Sequence, residues 1–235
     1  MTSYFDQFIL IKFICIFNTN ALLILLMLLI IILIIILKIN LIPLKIQSFL
    51  EIILEHWLLV LKENLTSGFK FTYFLCFITL FLFILIINMF GFLIYAFPLT
   101  THVTITFSLA FSAWLCIIGL GFYFHKANFL SSFIPKGVPL FMSPFLVLIE
   151  IISNISRPIA LGLRLAANLT AGHILLAILS NFGCELLFFT PTFITLFPII
   201  IILFITLLEI GVMIIQAYVF TLLVIIYLKE SLILH

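Results

Sequence analysis

The chain has 235 residues, of which 66% are hydrophobic and only 8% are charged. Soluble domains are roughly 45–50% apolar and about 25% charged, so this composition excludes a water-soluble enzyme. Ten Lys and Arg residues against eight Asp and Glu residues give a net charge of +2, which excludes a protein that binds nucleic acid through a basic face. The composition predicts one polytopic membrane domain over residues 1–235.

The N-terminal part of the chain contains one uninterrupted apolar stretch and one amphipathic segment. Residues 21–37 are long enough to cross a bilayer and are followed by no small-residue cleavage site, so we expect a spanning helix and not a signal peptide. In residues 45–63, polar side chains such as Ser48, Glu51 and Glu55 recur at three- and four-residue steps among apolar neighbours. This pattern predicts a helix that lies in the membrane interface or packs against a partner subunit.

Four further apolar stretches complete an all-α polytopic fold. Residues 71–97 and 103–124 are two spans joined by a short turn, which predicts an antiparallel hairpin. Residues 141–180 and 199–228 would form helices about 60 Å and about 45 Å long, whereas the hydrocarbon core is about 30 Å thick. We expect two steeply tilted helices, not a first helix broken at Pro158, because the polar residues described below share one face only on a continuous helix.

The lysines are distributed unequally across this five-span topology. Seven fall on one side, and only Lys12 falls on the other. By the positive-inside rule, the N-terminus faces outward, to the intermembrane space or periplasm, and the C-terminus faces inward. The seven inner lysines are Lys38, Lys45, Lys62, Lys70, Lys126, Lys136 and Lys229.

Ionisable side chains lie inside the last two apolar stretches, where burying an arginine costs roughly 2.5–3.5 kcal/mol. Such residues usually mark an ion pathway or pair with a buried partner. For Arg157 we expect an ion pair or a side chain that reaches the membrane surface, and for Arg164 we expect a functional role. The full set is Glu150, Arg157, Arg164, His173 and Glu209.

The spacing of the polar residues divides them into two sets. His173 lies nine residues beyond Arg164 and therefore points to a different surface of the helix, while Glu209 and Gln216 are seven apart and share a face. Two separated sets of polar groups with an arginine between them are the pattern expected of an ion pathway in two halves, with the positive charge as the barrier between them. The other side of the first long helix carries residues at steps of four, three, seven and four: Glu150, Asn154, Arg157, Arg164 and Asn168.

A compact motif surrounds Arg164: Gly-Leu-Arg164-Leu, then Asn168, then Ala-Gly-His173. This motif resembles a signature of subunit a of the F-type ATP synthases, and the chain looks like the mitochondrial form of that family. One departure is Phe92-Leu-Ile94, where the family usually has a proline. Supporting matches run in order along the chain: Asn88-Met-Phe-Gly91, Glu150, Glu209 with Gln216, and Tyr227-Leu-Lys-Glu230.

The resemblance implies a non-catalytic stator subunit that needs no cofactor. Such a subunit conducts protons through two offset half-channels against a rotating ring of proteolipid (c) subunits, and so couples proton flow to ATP synthesis elsewhere in the complex. Its implied partners are that ring, the peripheral stalk, other membrane subunits of the synthase, the lipid bilayer and protons. The implied location is the mitochondrial inner membrane, with the bacterial plasma membrane as the alternative.

The resemblance also assigns roles to individual residues. Arg164 would face the ring carboxylates with a guanidinium that cannot lose its proton. His173 and Glu209 would serve the outer half-channel, through which protons enter, and Glu150 would serve the inner one. The remaining candidates are the orienting amides Asn168 and Gln216 and the weaker Arg157, Asn88, Asn154 and His102.

Two other classes of membrane protein remain open at this stage. A secondary transporter or self-contained channel commonly carries an internal repeat, and none is found, since the polar residues concentrate in the last two apolar stretches. A haem-binding electron-transfer subunit would need paired histidines on facing helices. Here His56 lies in the amphipathic segment, and His102 and His125 lie in or beside loops.

Overall fold

The structure, a computed structural model, describes residues 12–14, 17–18, 45–65, 71–92, 98–126, 129, 142–189 and 196–232. Most of these residues form five α-helices. A 3₁₀ turn, Leu99–Thr101, precedes the third helix, and a short antiparallel ladder pairs β1 (Lys12–Ile14) with β2 (Phe17–Asn18). The helices are α1 (Lys45–Asn64), α2 (Phe71–Gly91), α3 (Val103–His125), α4 (Ser143–Phe189) and α5 (Leu196–Leu232).

Helices α2, α3, α4 and α5 are each long and apolar enough to cross a membrane, which confirms the all-α polytopic fold. Their bounds differ from the predicted ones at several ends. Helix α2 ends at Gly91, with residue 92 in a turn, whereas the apolar stretch suggested a helix to residue 97. The predicted first span, residues 21–37, lies outside the described residues.

The two C-terminal helices are longer than a bilayer is thick. Helix α4 has 47 residues, about 70 Å at the α-helical rise, and α5 has 37 residues, about 55 Å. Helix α4 runs through Pro158 without a break and continues past residue 180 to Phe189. The hydrocarbon core measures about 30 Å, so a helix of this length crosses it at a steep inclination or extends beyond it.

Helices α4 and α5 pack antiparallel and are joined by polar contacts between their side chains. Arg157 Nη1 lies 2.6 Å from Glu230 Oε2, and Asn168 Nδ2 donates a hydrogen bond to Gln216 Oε1 at 3.0 Å. As residue numbers rise along α4, those of the contacting residues fall along α5. These two contacts therefore fix the relative position of the helices, which we call the α4–α5 pair.

Helix α1 packs its apolar face on α2 and α5. The indole of Trp57 is 1% exposed, and its ring centroid lies 5.0 Å from that of Phe81 and 5.2 Å from that of Tyr218. On the edge of this contact, His56 Nε2 lies 3.3 Å from the Tyr218 hydroxyl. The amphipathic segment therefore covers α5 at Tyr218, while its carboxylates, such as that of Glu55, stay exposed.

We expect Trp57→Ala to destabilise the protein by about 3–5 kcal/mol, because truncating a fully buried aromatic side chain leaves a cavity. Thermal unfolding of the purified protein in detergent, followed by circular dichroism, measures the change. Ile52→Ala on the same helix is the matched control, since the Ile52 side chain is 64% exposed. Equal unfolding temperatures for the two variants would contradict the docking of α1 described above.

Candidate functional site

A small cavity lies where α2, α4 and α5 meet, and all three helices contribute polar side chains to it. Asn88 is 2% exposed, and Glu209 and Gln216 are each 6% exposed. One amide from each helix and one carboxylate therefore meet in otherwise apolar surroundings. The cavity is lined by Asn88, Leu165, Asn168, Leu169, Glu209, Val212, Met213 and Gln216.

Helical spacing explains how α4 and α5 bring their polar groups to this cavity. On α5, Glu209, Met213 and Gln216 follow steps of four and three residues and so share one face. On α4, Asn168 lies next to Leu169 and three residues after the buried Leu165. The hydrogen bond from Asn168 to Gln216 joins the two faces at the cavity wall.

The carboxylate of Glu209 is the most unusual group in the site. Neither of its oxygens, nor Oδ1 of Asn88, has a hydrogen-bond partner among the described residues. Buried polar atoms are nearly always paired with protein or with ordered water, and each exception needs an explanation. A buried carboxylate held in this way is a candidate for taking up and releasing a proton.

Gly172 makes room for this carboxylate. A Cβ atom built on Gly172 would overlap the Glu209 carboxyl group and lie 2.6 Å from its Cδ. Any side chain at this position of α4 would therefore displace the acid. In the sequence, this contact is indicated only by a glycine directly before His173, which does not show what the glycine packs against.

His173 follows on the same turn of α4 and is turned towards α2. Its imidazole is half-buried and is hydrogen-bonded to the backbone of Gly91. Nε2 of the ring is buried and has no hydrogen-bond partner in the described part of the chain. One nitrogen thus anchors the ring to α2, and the other is able to exchange a proton.

Arg164 lies on a different side of α4 from His173. The residue is exposed, and its guanidinium makes no ion pair or hydrogen bond with the residues that the structure describes. Asn168, one turn further along, is at the border: the residue is exposed, yet it lines the cavity. Helix α4 therefore separates an outward-facing cation from an inward-facing cavity.

Two other candidates hold helices together away from the cavity. Arg157 pairs with Glu230, and its guanidinium lies 4.7 Å from the ring centroid of Tyr227. Asn154 Oδ1 accepts a hydrogen bond of 3.1 Å from the indole nitrogen of Trp114 on α3. The ion pair is one of the two alternatives expected for Arg157, whereas no sequence pattern indicated the contact of Asn154 with Trp114.

The last two candidates lie near helix ends. Glu150 is exposed in the first part of α4. His102 is half-buried at the start of α3, where burial lowers the pKa of its imidazole and keeps it neutral at pH 7. The structure brings neither residue to the cavity.

These features define a polytopic membrane protein with ionisable and amide groups built into the helix contacts of its transmembrane region. Residues 19–229 match the family model of the ATP synthase A chain. The chain therefore belongs to the ATP synthase A chain family, and the resemblance noted around Arg164 is confirmed.

Individual relatives extend the match to nearly the whole chain. It is 44% identical to ATP synthase subunit a of Metridium senile over 234 residues, 99% of each protein. It is 43% identical to that of Brassica napus over 202 residues, 83% of this chain and 78% of the relative. A bacterial relative, ATP synthase subunit a of Bartonella bacilliformis, is 42% identical over 195 residues, 82% of this chain and 77% of the relative.

We expect Gly172→Ala to gain less stability than an ordinary glycine-to-alanine substitution in a helix, because the added methyl group must first push aside the Glu209 carboxyl group, the end of a flexible side chain. Gly211→Ala on α5 is the matched control, since a Cβ atom there meets nothing within 4 Å. It should raise stability by up to about 1 kcal/mol through helix propensity alone. The unfolding temperatures of both variants in detergent measure this difference, and equal stabilisation by Gly172→Ala and Gly211→Ala would contradict the close contact at Gly172.

Proposed function

We propose that this chain is the proton-conducting stator subunit of an F-type ATP synthase. It forms two offset half-channels against a rotating ring of proteolipid subunits and couples proton flow to rotation and ATP synthesis. The observation that carries the proposal is the division made by α4. A buried carboxylate that has no hydrogen-bond partner among the described residues lies on one side of this helix, and an exposed arginine that pairs with none of those residues lies on the other.

The cavity around Glu209 forms part of the outer half-channel. The oxygens of Glu209, Oδ1 of Asn88 and Nε2 of His173 find no hydrogen-bond partner among the described residues, and water that enters the site would supply one. The amides of Asn168 and Gln216, already bonded to each other, orient that water. Glu209 and His173 then pass protons from the outer side towards the exposed face of α4.

Arg164 is the barrier between the half-channels and the partner of the ring. It lies on a face of α4 that exposes large apolar side chains, among them Leu163 and Leu175. A guanidinium that faces lipid without a partner is costly in free energy, so we expect this face to bind a partner that carries a negative charge. A ring of small subunits that each carry a membrane carboxylate meets the requirement. Because Arg164 stays protonated, it attracts an ionised carboxylate and repels protons that would leak across.

Glu150 serves the inner half-channel. Glu150 is exposed on α4, 14 residues before Arg164. Glu209 contacts α4 at Gly172, eight residues after Arg164, so along α4 the two carboxylates lie on opposite sides of the arginine. The positive-inside orientation places this part of α4 towards the lysine-rich side, with the N-terminus outside and the C-terminus inside. A proton that leaves there has crossed the membrane potential, which supplies about 2.3 kcal/mol per charge for each 100 mV.

The subunit is non-catalytic, and ATP is made by other subunits of the complex. Its partners are the proteolipid ring, the peripheral stalk, other membrane subunits, the bilayer and the transported protons. The location that we propose is the mitochondrial inner membrane, supported by the match over 99% of both chains with the relative from Metridium senile. A plasma-membrane location in a bacterium is the alternative.

We expect Arg164→Ala to abolish proton-driven ATP synthesis while the complex still assembles, because the variant removes the fixed cation at a position that is exposed on α4. ATP synthesis by the purified complex in vesicles under an imposed proton gradient measures the effect, and a native gel checks assembly. Arg164→Lys should restore synthesis only in part, because lysine loses its proton readily on burial. Full coupled synthesis by Arg164→Ala would overturn the proposal.

We expect Glu209→Gln to slow proton uptake by roughly 100-fold or more, because the amide keeps the shape of the side chain but cannot carry a proton. Glu185→Gln is the matched control, since Glu185 is exposed on α4. The measurement is ATP-driven quenching of a pH-sensitive dye in vesicles that contain the complex. Equal proton fluxes for the two variants would remove Glu209 from the pathway.

A further inference from the structure

The last turn of α5 is held by side chains from two other helices. His125, at the end of α3, has its Nε2 3.0 Å from the carbonyl oxygen of Leu232. From α4, Arg157 forms the ion pair with Glu230. Helices α3 and α4 thus both attach to α5 within its final three residues.

Arg157 contacts α5 at two neighbouring positions. Its Nη1 lies 2.6 Å from Glu230, and its guanidinium carbon lies 4.7 Å from the ring centroid of Tyr227, three residues earlier on α5. Residues three apart lie on one face of a helix, so the two contacts constrain both the rotation and the axial position of α5.

The polar ties of the α4–α5 pair bracket Arg164. Arg157 lies seven residues before it, about 10 Å along α4, and Asn168 lies four residues after it, about 6 Å. Both are bonded to α5, to Glu230 and to Gln216 respectively. Arg164 itself makes no hydrogen bond or ion pair with the described residues. Its position along α4 relative to α5 is therefore set by the contacts of Arg157 and Asn168.

We propose that His125, Arg157, Tyr227 and Glu230 form a clamp that sets the register of α4 against α5. The clamp holds Arg164 at the level of the half-channels, and it is a set of positioning residues, not a path for protons. This inference rests on the proposed function. It goes beyond it by assigning a role to side chains that lie outside the cavity and away from Arg164.

The clamp predicts a specific pattern of losses and rescues. A single charge reversal brings two like charges into contact at the end of α5, whereas restoring opposite charges, or replacing both partners by apolar side chains of similar size, removes that repulsion. Arg157→Glu and Glu230→Arg should therefore each lower ATP synthesis about tenfold, a typical size for residues in contact. Combining the two reversals should restore it to within about twofold. The apolar pair Arg157→Met with Glu230→Leu should keep more than about half of the synthesis.

A disulfide at the far end of the α4–α5 pair reports the register directly. A Cβ atom on Gly183 would lie 3.7 Å from Cβ of Pro198, within the range of native disulfides. The complex for this assay carries Gly183→Cys and Pro198→Cys, with the four native cysteines replaced by serine. Each single reversal should reduce disulfide yield, and the double reversal and the apolar pair should restore it.

The outcomes separate the clamp from its alternatives. If the apolar pair forms the disulfide normally but fails in synthesis, the charges act in proton transfer and the clamp is overturned. If single reversals change neither synthesis nor disulfide yield, the clamp is also overturned. If the unmodified complex shows no proton-driven synthesis, the proposed function fails, while the disulfide assay still tests the register.

His125 provides an independent arm of the test. His125→Gln keeps a donor for the Leu232 carbonyl at the position of Nε2, and His125→Leu removes it. We expect His125→Leu to lower disulfide yield about threefold, in keeping with the loss of one hydrogen bond, and His125→Gln to preserve it. Equal yields for the two variants would remove His125 from the clamp.

Discussion

The antiparallel contact of α4 and α5 is the constraint on which the other features of this protein depend. Inside a bilayer, a polar group must be satisfied by protein or by enclosed water, because lipid offers no partner. The α4–α5 pair satisfies Asn168 and Gln216 with each other and Arg157 with Glu230. Both contacts require one register of the two helices, so the polar groups specify the packing.

The site also depends on two glycines, which leave space where any other residue would place a side chain. Gly172 leaves space for the Glu209 carboxylate, and Gly162 lets α4 approach α3, where a Cβ atom would lie 3.3 Å from Cα of Phe107. Small residues allow close packing in membrane helices generally. Here one of the two glycines admits a neighbouring backbone and the other admits a functional group, a distinction that only the three-dimensional arrangement reveals.

Periodicity predicted much of the architecture because it reports how residues are arranged on their own helix. It correctly indicated the continuous course of α4 through Pro158 and the shared face of Glu209 and Gln216. It could not say which neighbour each side chain meets. Asn154 and Arg157 belong to one predicted row, yet the first contacts α3 and the second contacts α5. Their direction depends on where the neighbouring helices pack, which sequence spacing does not encode.

The length of α4 has a geometric consequence. A rod of about 70 Å fits within a slab of about 30 Å only if it is inclined by about 65° from the membrane normal. Glu150 and Gly172, about 33 Å apart along such a helix, are then separated by about 30 Å in the membrane plane but by only about 14 Å in depth. In the proposed function, a proton that enters at one level and leaves at the other therefore travels mostly in the membrane plane. The direction in which α4 inclines sets the direction of this lateral displacement in the membrane plane. A helix inclined the opposite way would reverse it.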